Sequence, residues 1–267
     1  MSKVAIIIPM YNGKDYIGKT IDSCVNQDFK DIEVLIIDDF SVDDSYEYVK
    51  KYIKKYSEFN ISIRKNDTNS GVLATCNEGA ALTDSEWILF LGQDDVLPEN
   101  YLLELLKHVD ENISFAFCNP MMIDKNDHEI RRCRDNTSLY ENKKSLCARL
   151  AQECVIASTG LIINRSKFLA VGGFDTKYKN YGEWNLWIRL LCVGDFYFFE
   201  NGYSYYRRHD TNMTNSFRNK NKVKTLHKYW NECRKKAIHE FKLEFIDFQK
   251  AFFHYIIENL KYGLRIK

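Results

Sequence analysis

Val4-Ala5-Ile6-Ile7-Ile8 is apolar at every position and is closed by Pro9. A strand without polar alternation is covered on both faces, as a parallel strand between two helix layers is. The pattern recurs. Ile32–Ile37, Ile61–Arg64 and Trp87–Leu91 read as further strands. Tyr16–Val25, Asp43–Tyr56, Val72–Leu82 and Glu99–Val109 carry helical spacing, as Ile17, Ile21 and Val25 illustrate. Ser41, Asp43 and Asp44 are good residues for opening the second helix. Strand–helix alternation at this spacing predicts βαβ units and a parallel sheet.

The regularity breaks after about residue 110. Ser114–Ile123 reads as a strand, Ser145–Glu153 as a helix and Gly160–Asn164 as a strand. Trp184–Cys192 reads as a helix, and Phe196–Phe199 and Tyr203–Tyr206 as short strands. Such a half suits antiparallel additions to a parallel sheet. From Asn221 the chain reads helical, with Phe241, Phe245, Phe248, Phe252 and Tyr255 on one stripe that suits core packing. The expected fold is α/β, with a mixed, mainly parallel sheet flanked by helices and a C-terminal helical extension.

A length of 267 residues suffices for one large domain with a smaller appendage. Met1-Ser2-Lys3 leads straight into the first strand, so no amino-terminal signal is expected, and no apolar run approaches the ~20 residues of a bilayer span. The eight cysteines form no Cys-x-x-Cys pair, which argues against structural zinc and for a reduced, cytoplasmic chain. The net charge of +1 hides an asymmetry. Residues 207–267 hold 15 Lys/Arg against 6 Asp/Glu, a net of +9, which leaves 23 against 31, a net of −8, on the rest. A basic tail on an acidic body suits either an anionic surface, such as the inner face of a membrane, or a solvated helix face.

Polar clusters fall at the strand ends. Pro9-Met10-Tyr11-Asn12-Gly13 follows the first strand and Asp38-Asp39-Phe40-Ser41 the second. Asn69-Ser70-Gly71 precedes a helix, and Gly92-Gln93-Asp94-Asp95 follows the fourth strand. Open α/β sheets bind ligands at the carboxyl ends of their strands. Two adjacent carboxylates there repel each other unless a cation sits between them, and a hard divalent ion held by carboxylates and substrate phosphates is the usual Mg2+ or Mn2+ arrangement. The clusters together suit a nucleotide: Tyr11 for stacking, Asp39 for a base N–H, Asp94 for ribose hydroxyls, Asp95 for a metal on the diphosphate. No Gly-x-Gly-x-x-Gly and no Gly-Lys-Ser/Thr loop occurs, which argues against a dinucleotide cofactor and a P-loop.

Taken in order, these motifs resemble those of inverting family-two glycosyltransferases of the GT-A, Rossmann-like fold. The matching segments include Val4–Asn12, Ile37–Asp43, Asn69–Gly71, Asn77-Glu78-Gly79-Ala80, Phe90–Asp95, Gly172-Gly173-Phe174-Asp175, Trp184–Leu190 and Tyr206-Arg207-Arg208-His209. The resemblance covers roughly residues 3–210. It implies a glycosyltransferase domain over 1–210, with a nucleotide-binding half (1–110) and an acceptor half (111–210), and an extension over 211–267. It implies a nucleotide site of Pro9, Tyr11, Asn12, Asp39, Asn69, Gly71, Asp94 and Arg207, metal ligands Asp95 and His209 for Mn2+ or Mg2+, and a sugar or acceptor region at Gly160 and Trp184. Glu183 stands where the family commonly has the Asp that acts as base. Gly92 stands where an Asp is frequent, and Cys76 where an Arg often precedes the Asn. The implied reaction is sugar transfer with inversion from a nucleoside-diphosphate sugar, UDP-linked by resemblance, to a glycan or lipid-linked acceptor in bacterial surface polysaccharide synthesis, with no nucleic-acid partner. The two departures also fit a catalytically impaired nucleotide-sugar-binding subunit. A nucleotidyltransferase would want a Gly-rich basic loop that Tyr11-Asn12-Gly13-Lys14 does not supply.

Overall fold

The computed structural model describes residues 3–133, 142–212 and 220–242. Strand β1 (Val4–Met10) lies between β2 (Ile32–Asp38) and β4 (Trp87–Phe90), parallel to both, with Met10 opposite Asp38 and Ile7 opposite Phe90. Adding β3 (Ile61–Lys65), β5 (Ile113–Phe117), β8 (Ile162–Asn164) and β9 (Asp195–Phe198) gives a seven-stranded sheet in the order β3-β2-β1-β4-β8-β5-β9. Only β8 runs against the others, pairing antiparallel with β4 and β5. The mixed, mainly parallel sheet flanked by helices is the expected fold.

The unbroken apolar character of β1 has its predicted cause. Val4, Ile6, Ile8 and Met10 face one core, with Ile17 and Ile21 of α1 (Lys14–Val25), Val49 of α2 (Ser45–Tyr52), and Leu102 and Leu105 of α4 (Tyr101–Leu105). Ala5 and Ile7 face the other, with Cys76 and Ala80 of α3 (Val72–Leu82), Leu146 and Leu150 of α5 (Lys143–Leu150), Phe168 of α6 (Arg165–Ala170), and Trp184 and Trp187 of α7 (Gly182–Val193). Alternate side chains of one strand thus fill two cores.

Three segments differ from expectation. Ser114–Ile123 is not one strand. The chain leaves the large sheet after Phe117, and β6 (Met121–Ile123) joins β7 (Glu129–Arg132) and β10 (Tyr205–Arg207) in a three-stranded sheet. Pro120 sits at the switch, where a residue without an N–H cannot continue the ladder. The charged strand β7, Glu-Ile-Arg-Arg, carries no apolar alternation to announce it. Helix α7 begins at Gly182, so Glu183 lies in its first turn.

Helix α8 (Lys220–Glu240) begins the C-terminal extension. Cys233 and Ala237 are buried in the same core as Trp184, with Tyr229, Trp230, Ile238 and Phe241 packed at its margin. Arg234 Nε donates to the Ala151 carbonyl at 3.2 Å. The stripe residues Phe245, Phe248, Phe252 and Tyr255 lie outside the described residues.

Candidate active site

The carboxyl ends of β1, β2 and β4 are tied together by their own loops. The Asp39 N–H donates to the Met10 carbonyl at 2.7 Å. Asn12 adopts φ 50°, a left-handed value Asn tolerates better than most residues, and brackets the next loop. Its N–H donates to Ser41 Oγ at 2.9 Å, and its Oδ1 accepts from the Val42 N–H at 3.0 Å. Gln93 reaches across from the β4 turn. Its Oε1 accepts from the Tyr11 N–H at 2.8 Å and its Nε2 donates to the Tyr11 carbonyl at 3.2 Å. Pro9 is half-buried in β1, and the Tyr11 and Asn12 side chains are exposed above it.

Asp38 and Asp39 have different tasks. Asp38 is fully buried and closes its own turn, accepting from the Ser41 N–H at 3.1 Å and from the Ser41 hydroxyl. Asp39 accepts from the Ser70 N–H on one oxygen and the Gly71 N–H on the other, each at 2.8 Å. Gly71 caps α3 at φ 85° with open space where a Cβ would be. A carboxylate at a helix N-terminus is favoured by the dipole. It also retains lone pairs for a further donor. Asn69 is exposed beside this loop.

The acid pair closes a turn in which the Asp95 N–H donates to the Gly92 carbonyl at 3.1 Å. A Cβ on Gly92 would lie 2.9 Å from Asp95 Oδ2 and 3.0 Å from Asp94 Oδ1. The missing Asp at position 92 therefore has a steric counterpart: the two remaining carboxylates fold back over the glycine. Asp95 is buried, and both its oxygens are used. Oδ1 accepts from the Arg207 N–H at 3.1 Å and Oδ2 from the Thr159 hydroxyl at 2.9 Å. Burial first, then the neighbouring Asp94 charge, push its carboxyl up to about 8, against those two hydrogen bonds. Asp94 is half-buried, and its Oδ2 lies 2.8 Å from His209 Nε2 and accepts from Asn212 Nδ2 at 3.0 Å. The His209 ring stacks on Tyr16 at 4.7 Å.

These groups suit a hard divalent cation. They are carboxylate oxygens and one imidazole, and the neighbouring Arg207 charge offsets only part of the burial and Asp94 repulsion that Asp95 carries. Among the described residues, no three His, Cys, Asp or Glu side chains are already disposed around one point.

Arg207 was expected at the diphosphate, but the structure places it beneath the acid pair. Its side chain is fully buried. Nε donates to the Asp94 carbonyl at 2.8 Å, and one terminal nitrogen donates to the Asp124 carbonyl at 3.1 Å and pairs with Asp127 at 2.5 Å. Burial would raise the Asp127 carboxyl; Lys19 and Arg207 outweigh it and hold it below its ordinary value. A guanidinium so enclosed supports the turn through three contacts, and its other terminal nitrogen is buried without a partner. Trp184 likewise turns away from any sugar: it is 1% exposed, and its indole N–H donates to the Leu150 carbonyl at 2.9 Å.

Glu183 is raised above its ordinary value by burial, while a hydrogen bond from the Ser158 side chain acts the other way. The buried Cys76 thiol is pushed up by burial and then by the charges of Glu183 and Asp39, which places it within the field of both. The first turn of α7 is set by the motif before it. Asn77 clamps Phe174, donating to its carbonyl and accepting from its N–H, each at 2.8 Å. Arg189 donates to the carbonyls of Val171 and Gly173, across the left-handed pair Gly172 and Gly173.

Gly160 is packed against Ser204 and Tyr101. It sits at φ 76°, and a Cβ there would lie 2.6 Å from the Ser204 Cβ. Gly160→Ala should cost on the order of 1–3 kcal/mol or more, since strain and a backbone-borne clash add. Equilibrium denaturation checks this, and an unchanged midpoint would refute it.

Sequence reasoning missed Gln93, Ser158, Thr159 and Asn212. Ser158 and Thr159 precede β8, the antiparallel strand, whose entry lies where the parallel strands exit. The polar Ser-Thr-Gly ahead of Leu161-Ile162-Ile163 was the available signal.

The sequence model of glycosyl transferase family 2 matches residues 5–172, and the chain belongs to that family. An uncharacterized glycosyltransferase of Rickettsia typhi is 26% identical over 216 residues, covering 80% of this chain and 66% of its own length. A poly(ribitol-phosphate) beta-glucosyltransferase of Bacillus spizizenii is 36% identical over 114 residues, 42% of this chain and 18% of its own. Among solved structures, S. aureus TarS 1-349 with UDP-GlcNAc matches with TM-score 0.66 at 20% identity, over 80% of this chain and 61% of that one. The mannosyltransferase PcManGT of Pyrobaculum calidifontis, with GDP-Man and Mn2+, matches with TM-score 0.65 at 12% identity, over 99% and 81%. The three Rickettsia relatives first in rank are spanned over 66%, 60% and 33% of their lengths. The GT-A fold and glycosyltransferase membership are therefore findings.

Proposed function

We propose that the protein transfers a hexose or N-acetylhexosamine, with inversion, from a nucleoside-diphosphate sugar to a glycan or lipid-linked glycan. The observation that carries this reading is the acid pair Asp94–Asp95 at the exit of β4, beside the joined loops that follow β1 and β2. One carboxylate suits proton abstraction and the pair suits a cation, so the two roles have separate environments. Glu183 accepts the acceptor hydroxyl's proton in a single in-line displacement. Asp95, with His209, would hold Mn2+ or Mg2+, which supplies charge stabilisation to the departing diphosphate. For His209 this means exchanging its contact with Asp94. Tyr11 and Pro9 offer the base a surface, Asp39 accepts a base N–H, Asn12, Asn69 and Gly71 line the loops around it, and Asp94 meets the ribose.

In this reading residues 1–110 form the nucleotide half, 111–210 the acceptor half and 211–267 an extension. A UDP donor and a role in bacterial surface polysaccharide are supported by the ribitol-phosphate glucosyltransferase relative and by TarS with UDP-GlcNAc. GDP-mannose belongs in the same screen, given PcManGT. Thermal-shift measurements with UDP, GDP and their sugars, with and without Mn2+, test the reading, since a ligand that binds the native state raises its melting point. Donor binding without any release of nucleotide would instead favour the impaired subunit, for which Gly92 and Cys76 speak. Failure of every nucleotide to bind would end both.

A cytoplasmic location with peripheral contact at anionic membrane is part of the proposal. No helix among the described residues is long and apolar enough to cross a membrane. The basic segment 207–267 would supply the contact, each near-surface Lys or Arg contributing on the order of 1 kcal/mol. The full chain should sediment with phosphatidylserine vesicles at low salt and release at high salt. Absence of sedimentation at every salt concentration would remove the membrane contact. Truncation after residue 215 should give aggregation, because it uncovers the face that Cys233 and Ala237 cover.

A further inference from the structure

The acid turn is stitched to the small sheet, and the stitch ends on a residue that neither proposed role uses. The Val96 N–H donates to the Tyr205 carbonyl at 3.1 Å, and the Tyr205 N–H donates back to the Val96 carbonyl at 2.8 Å. Arg207 adds two contacts further along β10. Its N–H donates to Asp95 Oδ1 at 3.1 Å and its Nε to the Asp94 carbonyl at 2.8 Å. The far end of the guanidinium is fixed by the turn between β6 and β7. There it donates to the Asp124 carbonyl at 3.1 Å and pairs with the Asp127 carboxylate at 2.5 Å. That turn is closed on itself. The Asp124 carboxylate accepts from the Asn126 N–H at 2.7 Å and the His128 N–H at 3.0 Å, and Asp127 sits at φ 72°. Lys19 of α1 pairs with the same Asp127 carboxylate. Among the described residues, Asp127 is the only carboxylate in an ion pair with the fully buried Arg207.

We propose that Asp127 is a positioning residue of the cation site: its carboxylate holds the Arg207 guanidinium on the Asp94 carbonyl, and so keeps that charge off the Asp94 and Asp95 carboxylates. The inference rests on the cation role proposed above for Asp95. Asp127 acts through Arg207 and is not a catalytic residue. The physical case begins with the arginine. A guanidinium is always charged, and a buried one must be paired. Without Asp127, the carboxylates on offer are those of the two residues whose backbone and side chain Arg207 already touches. An arginine drawn onto either would compete with a divalent ion for the same oxygens. With Asp127 in place, the guanidinium is pinned at both ends, and the acid turn above it has one position. Partners of this outer kind commonly contribute 10–100-fold to metal affinity or activity.

The test uses the full chain and three variants. Mn2+ is titrated by thermal shift in the presence of UDP or GDP, each protein referred to its own metal-free melting point, and nucleotide release from the corresponding sugars is followed alongside. Asp127→Gly removes the carboxylate where a left-handed φ suits glycine, and should raise the Mn2+ midpoint roughly 10-fold. Asp127→Asn keeps an acceptor oxygen without the charge and should raise it by less. Saturating Mn2+ should return the turnover of both variants to that of the parent, because an ion in excess displaces the guanidinium. Asn126→Ala alters the same turn but keeps the backbone N–H that closes it, and should keep the parent midpoint. If the parent responds to Mn2+ and Asp127→Gly keeps its midpoint, the positioning role is overturned and the transferase reading stands; should Asp127→Gly not fold, an unchanged midpoint in Asp127→Asn decides the same way. A lower melting point with an unchanged midpoint is a structural role and overturns it too, as does an Asn126→Ala variant that shifts as far as Asp127→Gly. A parent with no Mn2+ response in either nucleotide overturns the cation at Asp95, and this inference with it.

Discussion

Glu183→Gln should leave nucleotide binding intact and cut turnover by a factor on the order of 10² or more, the usual consequence of losing a general base. The substitution is nearly isosteric and lies in the first turn of α7, on a helix otherwise anchored by Trp184, Leu186, Trp187 and Ile188. It removes a charge that is raised by burial, so the fold should not suffer. The amide can still accept from Ser158. What it cannot do is take a proton. The parent should gain activity with rising pH through a value above the ordinary carboxylate range, since the base works only when ionised. The Gln variant should lack that limb. Nucleotide release measured across pH, beside Mn2+-dependent UDP binding, separates the outcomes. Equal losses in binding and turnover would make Glu183 structural. A mild loss would move the proton to another acid, with Asp175 the nearest in sequence.

How much of this was legible before the structure depends on which physical signal each part emits. The parallel half was legible because burial on both faces forces a strand to be apolar throughout, as Val4–Ile8 is. The convergence of the strand-end loops was legible because the strands of a parallel sheet all exit on one side, bringing Tyr11, Asp39 and Asp94 to one edge. The direction of β8 emits no such signal. Three apolar residues look alike in either direction, so Ser158 and Thr159 at its entry went unread. Strand β7 was silent because its Glu and Arg side chains face solvent. The inward turn of Arg207 was silent for a different reason. Arg suits phosphate well, and nothing in Tyr-Arg-Arg-His says which guanidinium turns inward. Its partners, Asp127 and the Asp124 carbonyl, lie about eighty residues away on a turn that only the small sheet brings near. Trp184 follows Glu183, yet adjacent residues on a helix point about 100° apart. The face that Glu183 leaves is the one that enters the core.

Asp95→Asn should have opposite effects on stability and on function. In the free protein the Asp95 carboxyl is pushed up to about 8, against about 3.9 in an unfolded chain. Between those values the folded state keeps a proton that the unfolded state has released. Stability from this group is therefore present at low pH and is lost as pH rises through that window. Above it, the ionised carboxylate sits buried beside Asp94, a cost that Arg207 offsets only in part. Asparagine is neutral throughout. It keeps an acceptor for the Arg207 N–H, and the Thr159 hydroxyl can turn to accept from its amide. Without metal, the variant should thus melt above the parent at pH 8.5, with the gap narrowing as pH falls and closing near about pH 4. Glu183 contributes a slope of the same sign, so the difference between the two proteins isolates Asp95. With UDP and Mn2+ the order should reverse: the parent gains stability and the variant does not, and sugar transfer is lost. This is the pattern of a site that keeps a destabilising charge because a ligand needs it. A melting point for the metal-free parent that does not change from pH 5 to 8.5 would refute the buried, protonated carboxyl. Full activity of the variant without added metal would refute the cation at Asp95.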